Sequence, residues 1–360
     1  MRSSRTPTIA LSLTALLGLG LAACGDDAET AASDGEAPGT TAAGDEGGDA
    51  GGGTLTVYSG RDEELIGPLL EDFATETGID VEVRYGSTAE MALLIETEGD
   101  RSPADVFISQ SPGAVGFLED NGLLGQVPEE TLDLVATEDH AEDGSWVGLT
   151  GRVRTLVYNT DNVTEDELPD SVLDLVDPAF ADRIGVAPGN GSFQDFVSGM
   201  RVELGDDETT AFLEGLAAND PTTYDGNTAI LEAVGRGEVD FGLINHYYKF
   251  QELAEGVDSP TALHFFEPGD LGGLILVSAA SIVATNDAGT AAEDLVAFLL
   301  SEESQTYFAE ETQEYPLIEG VEASDELPPL DETVSLRIDF EDLGGLDETE
   351  ALIQASGIDG

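Results

Sequence analysis

From Leu55 onward, short strand-like runs alternate with longer stretches of helical period, and a chain patterned this way has few folds open to it beyond helices packed on a largely parallel sheet. Leu55-Thr56-Val57-Tyr58 reads as a strand, and in Glu63 to Glu76 the residues Leu65, Ile66, Leu69, Leu70 and Phe73 form a helical stripe. Ile79 to Tyr85 alternates as a strand, with Ile79, Val81 and Val83 on one face. Thr88 to Glu98 is helical through Met91, Leu94 and Ile95, Asp105 to Ser109 is a strand, and Gly113 to Asn121 a short helix. A second series follows, with strands at Arg154 to Tyr158 and Ile184 to Ala187, and helices at Phe193 to Leu204, Glu208 to Ala218 and Thr228 to Arg236. The apolar strand Val239 to Ile244 then runs straight into Asn245-His246-Tyr247-Tyr248. Strands at Leu274 to Ser278 and Ser281 to Ala284, and helices at Ala291 to Leu300 and Glu303 to Ala309, close the core. No fixed repeat runs through the chain, which excludes a solenoid or propeller. Two such series predict an α/β fold of two lobes with a ligand cleft between them, lined by loops at the carboxyl ends of strands.

The segment before Leu55 is of another kind. Arg2 and Arg5 precede a small and apolar run from Ile9 to Ala23, too short to span a bilayer, and it ends in Leu21-Ala22-Ala23-Cys24. This resembles a lipobox, so residues 1–23 are expected to be a lipoprotein signal peptide and Cys24 the lipidated first residue of an exported protein. The chain would then be held at the outer face of the cytoplasmic membrane by that lipid alone. Cys24 is also the single cysteine, so no disulfide framework is available to the folded part. Gly25 to Gly53 holds only Gly, Ala, Asp, Glu, Ser, Thr and one Pro, none of which buries much apolar surface. Residues 24–53 are therefore expected to act as a tether spanning roughly 30 Å.

Charge removes whole classes of partner. With 75 acidic against 12 basic residues and a net charge of −63, the surface repels nucleic acid and anionic lipid. The acids are spread along the chain rather than gathered in one cassette, a balance suited to saline surroundings where screening relieves self-repulsion.

Four loops stand at strand ends: Tyr58-Ser59-Gly60-Arg61-Asp62, Tyr85-Gly86-Ser87-Thr88-Ala89-Glu90, Pro188-Gly189-Asn190-Gly191-Ser192-Phe193, and Asn245-His246-Tyr247-Tyr248. Gly- and Ser-rich helix openings present backbone N–H groups and hydroxyls that seat an anion, although each alone is also accounted for by a turn and an N-cap. The tyrosine pair admits two readings, aromatic packing at a lobe interface or hard phenolate ligation. Phenol keeps its proton up to a pKa of about 10, so a metal must displace it, and highly charged Fe³⁺ can.

Taken in order, several segments are similar to the bacterial ferric-iron-binding proteins of ABC importers, which have the type II periplasmic-binding-protein fold. They are Leu55 to Arg61, Pro103-Ala104-Asp105-Val106-Phe107, Gly151 to Asn159, Gly191-Ser192-Phe193-Gln194, Leu243 to Tyr248, Tyr307-Phe308 and Glu314-Tyr315-Pro316-Leu317. The resemblance covers Thr54 to about Ile318. It implies a first lobe over residues 54–150, completed by about 275–305, and a second over 151–274, completed by about 306–360. Hinge strands are implied near Val153 to Tyr158 and Leu274 to Ser278. It further implies that Tyr247 and Tyr248 ligate Fe³⁺, and that Asn190, Gly191 and Ser192 hold a synergistic anion such as carbonate, phosphate or citrate. Asn227 and Asn245 would line that site, with Ser87 and Thr88 facing it from the other lobe. Arg61 and Arg154 are candidate cleft cations, with structural salt bridges an equal reading. Where some members carry a His, a Glu and a third Tyr, this chain has Asp62, Gln110 and Phe193. Asp62 remains a hard oxygen donor, Gln110 is neutral, and Phe193 offers no ligand.

The implied protein is a monomeric binding component that passes iron to the membrane permease of an ABC importer. A relative binding an organic anion such as a phosphonate is the alternative within the same fold. An exported enzyme is disfavoured, since no Gly-x-Ser-x-Gly elbow, His-Glu-x-x-His motif, P-loop or thiol nucleophile occurs in the folded part. His140, His246 and His264 are expected to be structural.

Overall fold

The computed structural model describes residues 54–325, 327–330 and 346–358; the expected signal peptide, Cys24 and the tether lie outside the described residues. The strands are β1 (Thr54–Ser59), β2 (Asp80–Tyr85), β3 (Val106–Ser109), β4 (Val147–Asn159), β5 (Ile184–Val186), β6 (Thr222–Thr223), β7 (Phe241–Asn245), β8 (Thr261–His264), β9 (Ile275–Ile282) and β10 (Tyr315–Pro316). The α-helices of the first half are α1 (Glu63–Thr77), α2 (Thr88–Glu98), α3 (Pro112–Asp120) and α4 (Glu129–Leu132). Then come α5 (Gly191–Leu204), α6 (Asp206–Ala218), α7 (Asn227–Gly235), α8 (Tyr247–Ala254), α9 (Thr290–Leu299), α10 (Glu302–Glu310) and α11 (Leu346–Ser356). Among the described residues no helix is long and apolar enough to cross a membrane.

Hydrogen-bonded strands follow the order β2-β1-β3-β9-β4-β7-β5-β6, with β8 and β10 also paired to β4. In the first half β1 lies parallel between β2 and β3, as right-handed crossovers through α1 and α2 require. In the second half β5 pairs parallel with β6 and β7. Between the halves the ladders are antiparallel, through β9 and β4. Strand β4 belongs to both: Val147 to Val153 pair with β9, whereas Arg154 to Tyr158 pair with β7. The sheet thus changes partner at Val153/Arg154, inside the stretch expected to act as a hinge.

Local signals account for most boundaries. Helix α1 stops at Gly78, whose φ of 73° lies in the left-handed region open to glycine. Helix α2 starts on a capping box in which Ser87 Oγ accepts from Glu90 N–H and the Glu90 carboxylate accepts from Ser87 N–H. Three elements depart from expectation. Strand β4 begins at Val147 rather than Arg154, because pairing with β9 overrides the poor strand propensity of Gly148 and Gly151. The two strands expected on either side of Ala279-Ala280 are one strand, β9, held by β3 and β4 on its two edges. Tyr247 and Tyr248 open a helix, α8, instead of sitting in a loop.

Leu55, Val57, Phe73, Val106, Ile108, Leu295 and Phe308 form one apolar core around the first half of the sheet. A second core joins Phe107 and Val115 to Phe193, Phe196, Leu213 and Leu243, with Ile353 and Ile358 from the C-terminal region inserted into it. Each such side chain, fully buried, contributes about 1.5–3 kcal/mol, so α11 is firmly seated. It packs on α5 and α6 and also touches α3 of the first half.

Candidate functional site

The exits of β1, β2, β3, β5 and β7 converge on one cavity of about 590 Å³. Its wall includes Gly60, Arg61 and Asp62 after β1, Gly86, Ser87 and Thr88 after β2, and Gln110 and Ser111 after β3. From the second half come Gly189, Asn190, Gly191, Ser192 and Gln194, together with Tyr247, Tyr248 and Glu350. All four loops singled out in the sequence therefore meet in space, although up to 190 residues separate them along the chain.

The tyrosines are placed by His246, at 0 % exposure the most deeply buried residue of their loop with Asn245. Its Nδ1 accepts the Val153 N–H at 3.1 Å and its Nε2–H donates to the Gln313 carbonyl at 2.9 Å. Both ring nitrogens are thus occupied within the protein, and burial lowers the imidazole pKa to about 4. His246 is structural, as expected, and its role is to fix the start of α8. There the Tyr247 and Tyr248 rings stack with centroids 4.2 Å apart at 27°. Tyr247 is buried, and its hydroxyl lies 3.5 Å from Gln110 Nε2. Burial, together with Tyr248, raises its pKa well above the usual phenol range, against the pull of Arg152. A ligand that takes up this oxygen as phenolate must therefore repay a large desolvation cost, which a trivalent cation does and a neutral solute does not.

The same cavity is lined by polar groups from the opening of α5 and from the loop after β2. Asn190 caps α5, its Oδ1 accepting the Ser192 N–H at 3.1 Å. Ser87 Oγ accepts from Glu90 in the capping box and keeps its own proton for another partner. Thr88 Oγ1 is engaged on both sides, donating to Gly60 O at 3.2 Å and accepting from Gln110 N–H at 3.3 Å. It clasps the β1, β2 and β3 exits together. A Cβ at Gly60 would stand 2.3 Å from Thr88 Oγ1 and 2.6 Å from Thr88 Cα, so the close approach of these loops requires glycine.

Asn227 and Asn245 stand one layer behind the wall. Asn245 Nδ2 donates to Ser192 Oγ at 3.1 Å and Asn227 Nδ2 donates to Asn190 Oδ1 at 3.2 Å. Arg154 Nη1 donates to Asn245 Oδ1 at 2.9 Å and to Asn227 Oδ1 at 3.4 Å, a contact set by the pairing of Arg154 with Asn245 across β4 and β7. Arg154 Nε and Nη2 meet no acceptor, and burial lowers its pKa to about 10 although Tyr248 and Asp195 oppose that shift. A second guanidinium, Arg152, was passed over in the sequence. It stands two residues earlier on the same strand face, donates to the Gln110 carbonyl, and leaves Nε and Nη1 without partners. Had β4 been read from Val147, the two-residue spacing would have paired these arginines. Between them and Ser111 lies Asp195, whose Oδ1 accepts from Ser111 Oγ at 2.6 Å and whose pKa burial raises to about 6.

Arg61 has another role. Although its backbone touches the cavity, its guanidinium is buried against Glu314, with Nη2 to Oε2 at 2.5 Å, and Thr150 Oγ1 also donates to that carboxylate. Of the two readings kept open for Arg61, the structure holds the salt bridge. Asp62, at the N-terminus of α1, is exposed and makes no capping bond, so its carboxylate is available at the rim. Phe193 is buried in the core against Phe196 and does not reach the cavity. No cluster of three or more His, Cys, Asp or Glu side chains suited to a metal occurs among the described residues, so a metal here would rest on the tyrosines. Taken together, the cavity offers two phenolic oxygens, neutral and hydroxyl donors, and undercompensated positive charge behind the wall. This combination seats a hard cation beside an anion.

Residues 101–343 match the model of a family described as bacterial extracellular solute-binding protein. The chain is similar to the major ferric iron-binding protein of Neisseria meningitidis, at 32 % identity over 308 residues covering 84 % of this chain and 93 % of that one. It is also similar to the Fe(3+)-binding periplasmic protein of Serratia marcescens, at 27 % over 304 residues, 84 % of this chain and 90 % of the other. Among solved structures, iron-bound HitA from Pseudomonas aeruginosa matches with a TM-score of 0.81 at 35 % identity, covering 84 % of this chain and 99 % of that one.

Proposed function

The chain belongs to the bacterial extracellular solute-binding protein family, and from that premise we propose that it captures ferric iron with a synergistic anion and hands it to the permease of an ABC importer. It is a binding protein and not an enzyme. The observation that carries the ferric reading is the stacked Tyr247–Tyr248 pair lining one cavity with Ser87 of the first half and the Asn190-Gly191-Ser192 seat of the second. Fe³⁺ displaces the phenolic protons, the two tyrosinates supply hard oxygen donors, and the anion fills further positions while the buried Arg154 network supports its charge. Asp62 offers a further carboxylate at the rim. The two halves of the sheet, joined at Val153/Arg154 of β4, are the lobes that close on this ligand, and no bond of the cargo is broken.

Export follows the same reading. The sequence Leu21-Ala22-Ala23-Cys24 supports lipidation of Cys24, with the Gly25 to Gly53 tether holding the folded part beside the outer face of the cytoplasmic membrane. Labelled palmitate should enter the wild-type chain and not Cys24→Ala.

The test of the ferric reading is a titration of the metal-stripped protein with ferric citrate, followed by its visible spectrum. A saturable tyrosinate-to-iron charge-transfer band at one iron per chain is expected, abolished in Tyr247→Phe and Tyr248→Phe. Saturating ligand at about 100 times Kd should also stabilise the fold by about 2.7 kcal/mol. A colourless titration with no change in melting temperature would sink iron as the cargo and turn attention to phosphate and phosphonates.

A further inference from the structure

The cavity wall carries a carboxylate from an unexpected place: Glu350, on the C-terminal helix α11. We propose that Glu350 is a third protein oxygen ligand of the ferric ion, an inference that rests on the ferric reading above.

Several observations converge on it. Besides Glu350, the carboxylates on the wall are Asp62 and Glu63, both at the start of α1 in the first half. Glu350 approaches from the other side, where Gln194 Nε2 donates to its Oε1 at a long 3.4 Å, so this oxygen is only lightly engaged. The helix bearing it is rigidly docked. Its neighbour Thr349 is fully buried, exchanges a 2.7 Å hydrogen bond with Ser198 Oγ, and accepts from Arg201 Nη1 at 3.0 Å. Arg201 Nη2 also binds Glu348 at 2.7 Å, and Ile353 is buried in the shared core. Glu350 is thus held at the cavity by its helix rather than swinging freely from the surface.

The chemistry supplies the need. Before any anion arrives, two tyrosinates leave Fe³⁺ with one uncompensated positive charge, and burying a net charge is costly. Gln110, beside Tyr247, is neutral and cannot cancel it. A carboxylate from α11 cancels that charge while the anion is absent and meets the preference of a hard cation for anionic oxygen, with no redox step. Once the anion is bound, the excess negative charge faces the buried guanidiniums of Arg154 and Arg152. Because α11 packs on α5 and α6 and also touches α3, ligation by Glu350 would join iron capture to contact between the two halves.

The test compares Glu350→Gln, Glu350→Asp and, as a control, Glu214→Gln, which removes an exposed carboxylate of α6 that does not line the cavity. Each full chain is loaded with iron, its charge-transfer band recorded, and the iron withdrawn by citrate with and without added phosphate. Glu350→Gln should keep a tyrosinate band at shifted wavelength and release iron at a citrate concentration on the order of ten-fold lower, most markedly without phosphate. Glu350→Asp should recover part of the loss and Glu214→Gln should match wild type. Equal behaviour of Glu350→Gln and Glu214→Gln would overturn the proposal while leaving the ferric reading intact. A wild-type chain with no band would overturn both.

Discussion

Arg61, just past the end of β1, and Arg154, midway along β4, are each buried and are equal candidates in the sequence, yet they belong to different regions of the molecule. Around Arg61 the charge is closed by a carboxylate: Nε meets no acceptor, but Glu314 takes both Nη atoms, and Thr150 and Thr312 donate to that carboxylate. Around Arg154 it is left open, since only neutral amide oxygens meet Nη1 and the other two nitrogens have no partner. A satisfied ion pair stabilises the fold once formed and has nothing to offer a ligand. An undercompensated guanidinium costs stability until an anion arrives, which is what a binding site demands.

Breaking the closed region should have the largest effect. Glu314→Gln leaves the Arg61 charge buried and unpaired, and denaturant unfolding at neutral pH should show a loss of about 3–5 kcal/mol. Burial alone would push the Glu314 carboxyl up, but Arg61, then Arg152 and Thr312, hold it below the usual carboxylate range. A depressed carboxyl contributes stability that is present above its unfolded value near 4.3 and lost as pH falls through the folded value. The gap between wild type and variant should therefore close in acid, below about pH 4; a gap independent of pH would deny the ion pair its part. Next in size, Gly60→Ala forces Thr88 away from the β1 exit and should cost about 1–3 kcal/mol, with weaker iron binding because Ser87 moves too.

The open region should respond in the opposite sense. Arg154→Met should change stability of the metal-free protein by less than about 1 kcal/mol, or raise it. Its affinity for iron in the presence of phosphate should nevertheless fall on the order of ten-fold or more, read by citrate competition. If Arg154→Met unfolds as readily as Glu314→Gln, the distinction between the two arginines collapses. The smallest effect sharpens it further. Added salt should stabilise wild type and Glu314→Gln alike by screening the −63 surface, leaving their difference unchanged within about 0.5 kcal/mol.

Much of this was legible in the chain. Strand and helix periods located β1, β2, α1 and α2 to within a residue or so, because β2 alternates, the helices carry apolar stripes, and the elements end on local signals such as Gly78 and the Ser87–Glu90 box. Periodicity failed for β4, whose residues are buried on both faces and interrupted by glycines, so no alternation announces it. With its first half went Arg152. Helix α11 failed differently: in a chain with 75 acidic residues, one more glutamate on a short polar helix carries no mark of its destination.

The sequence by itself determined the α/β class and the loops at strand ends, since periodicity and capping are written within a few neighbours; it offered the tyrosine pair with two readings, packing or ligation, between which residue type alone did not choose. Only the tertiary structure decided which arginine is neutralised, which asparagines stand behind the wall rather than on it, and that Glu350 joins the cavity. Those outcomes depend on pairs such as Arg61 and Glu314, 253 residues apart, whose meeting is set by the crossing of β4 between the halves and by burial of the cores around it. No local pattern encodes such distances.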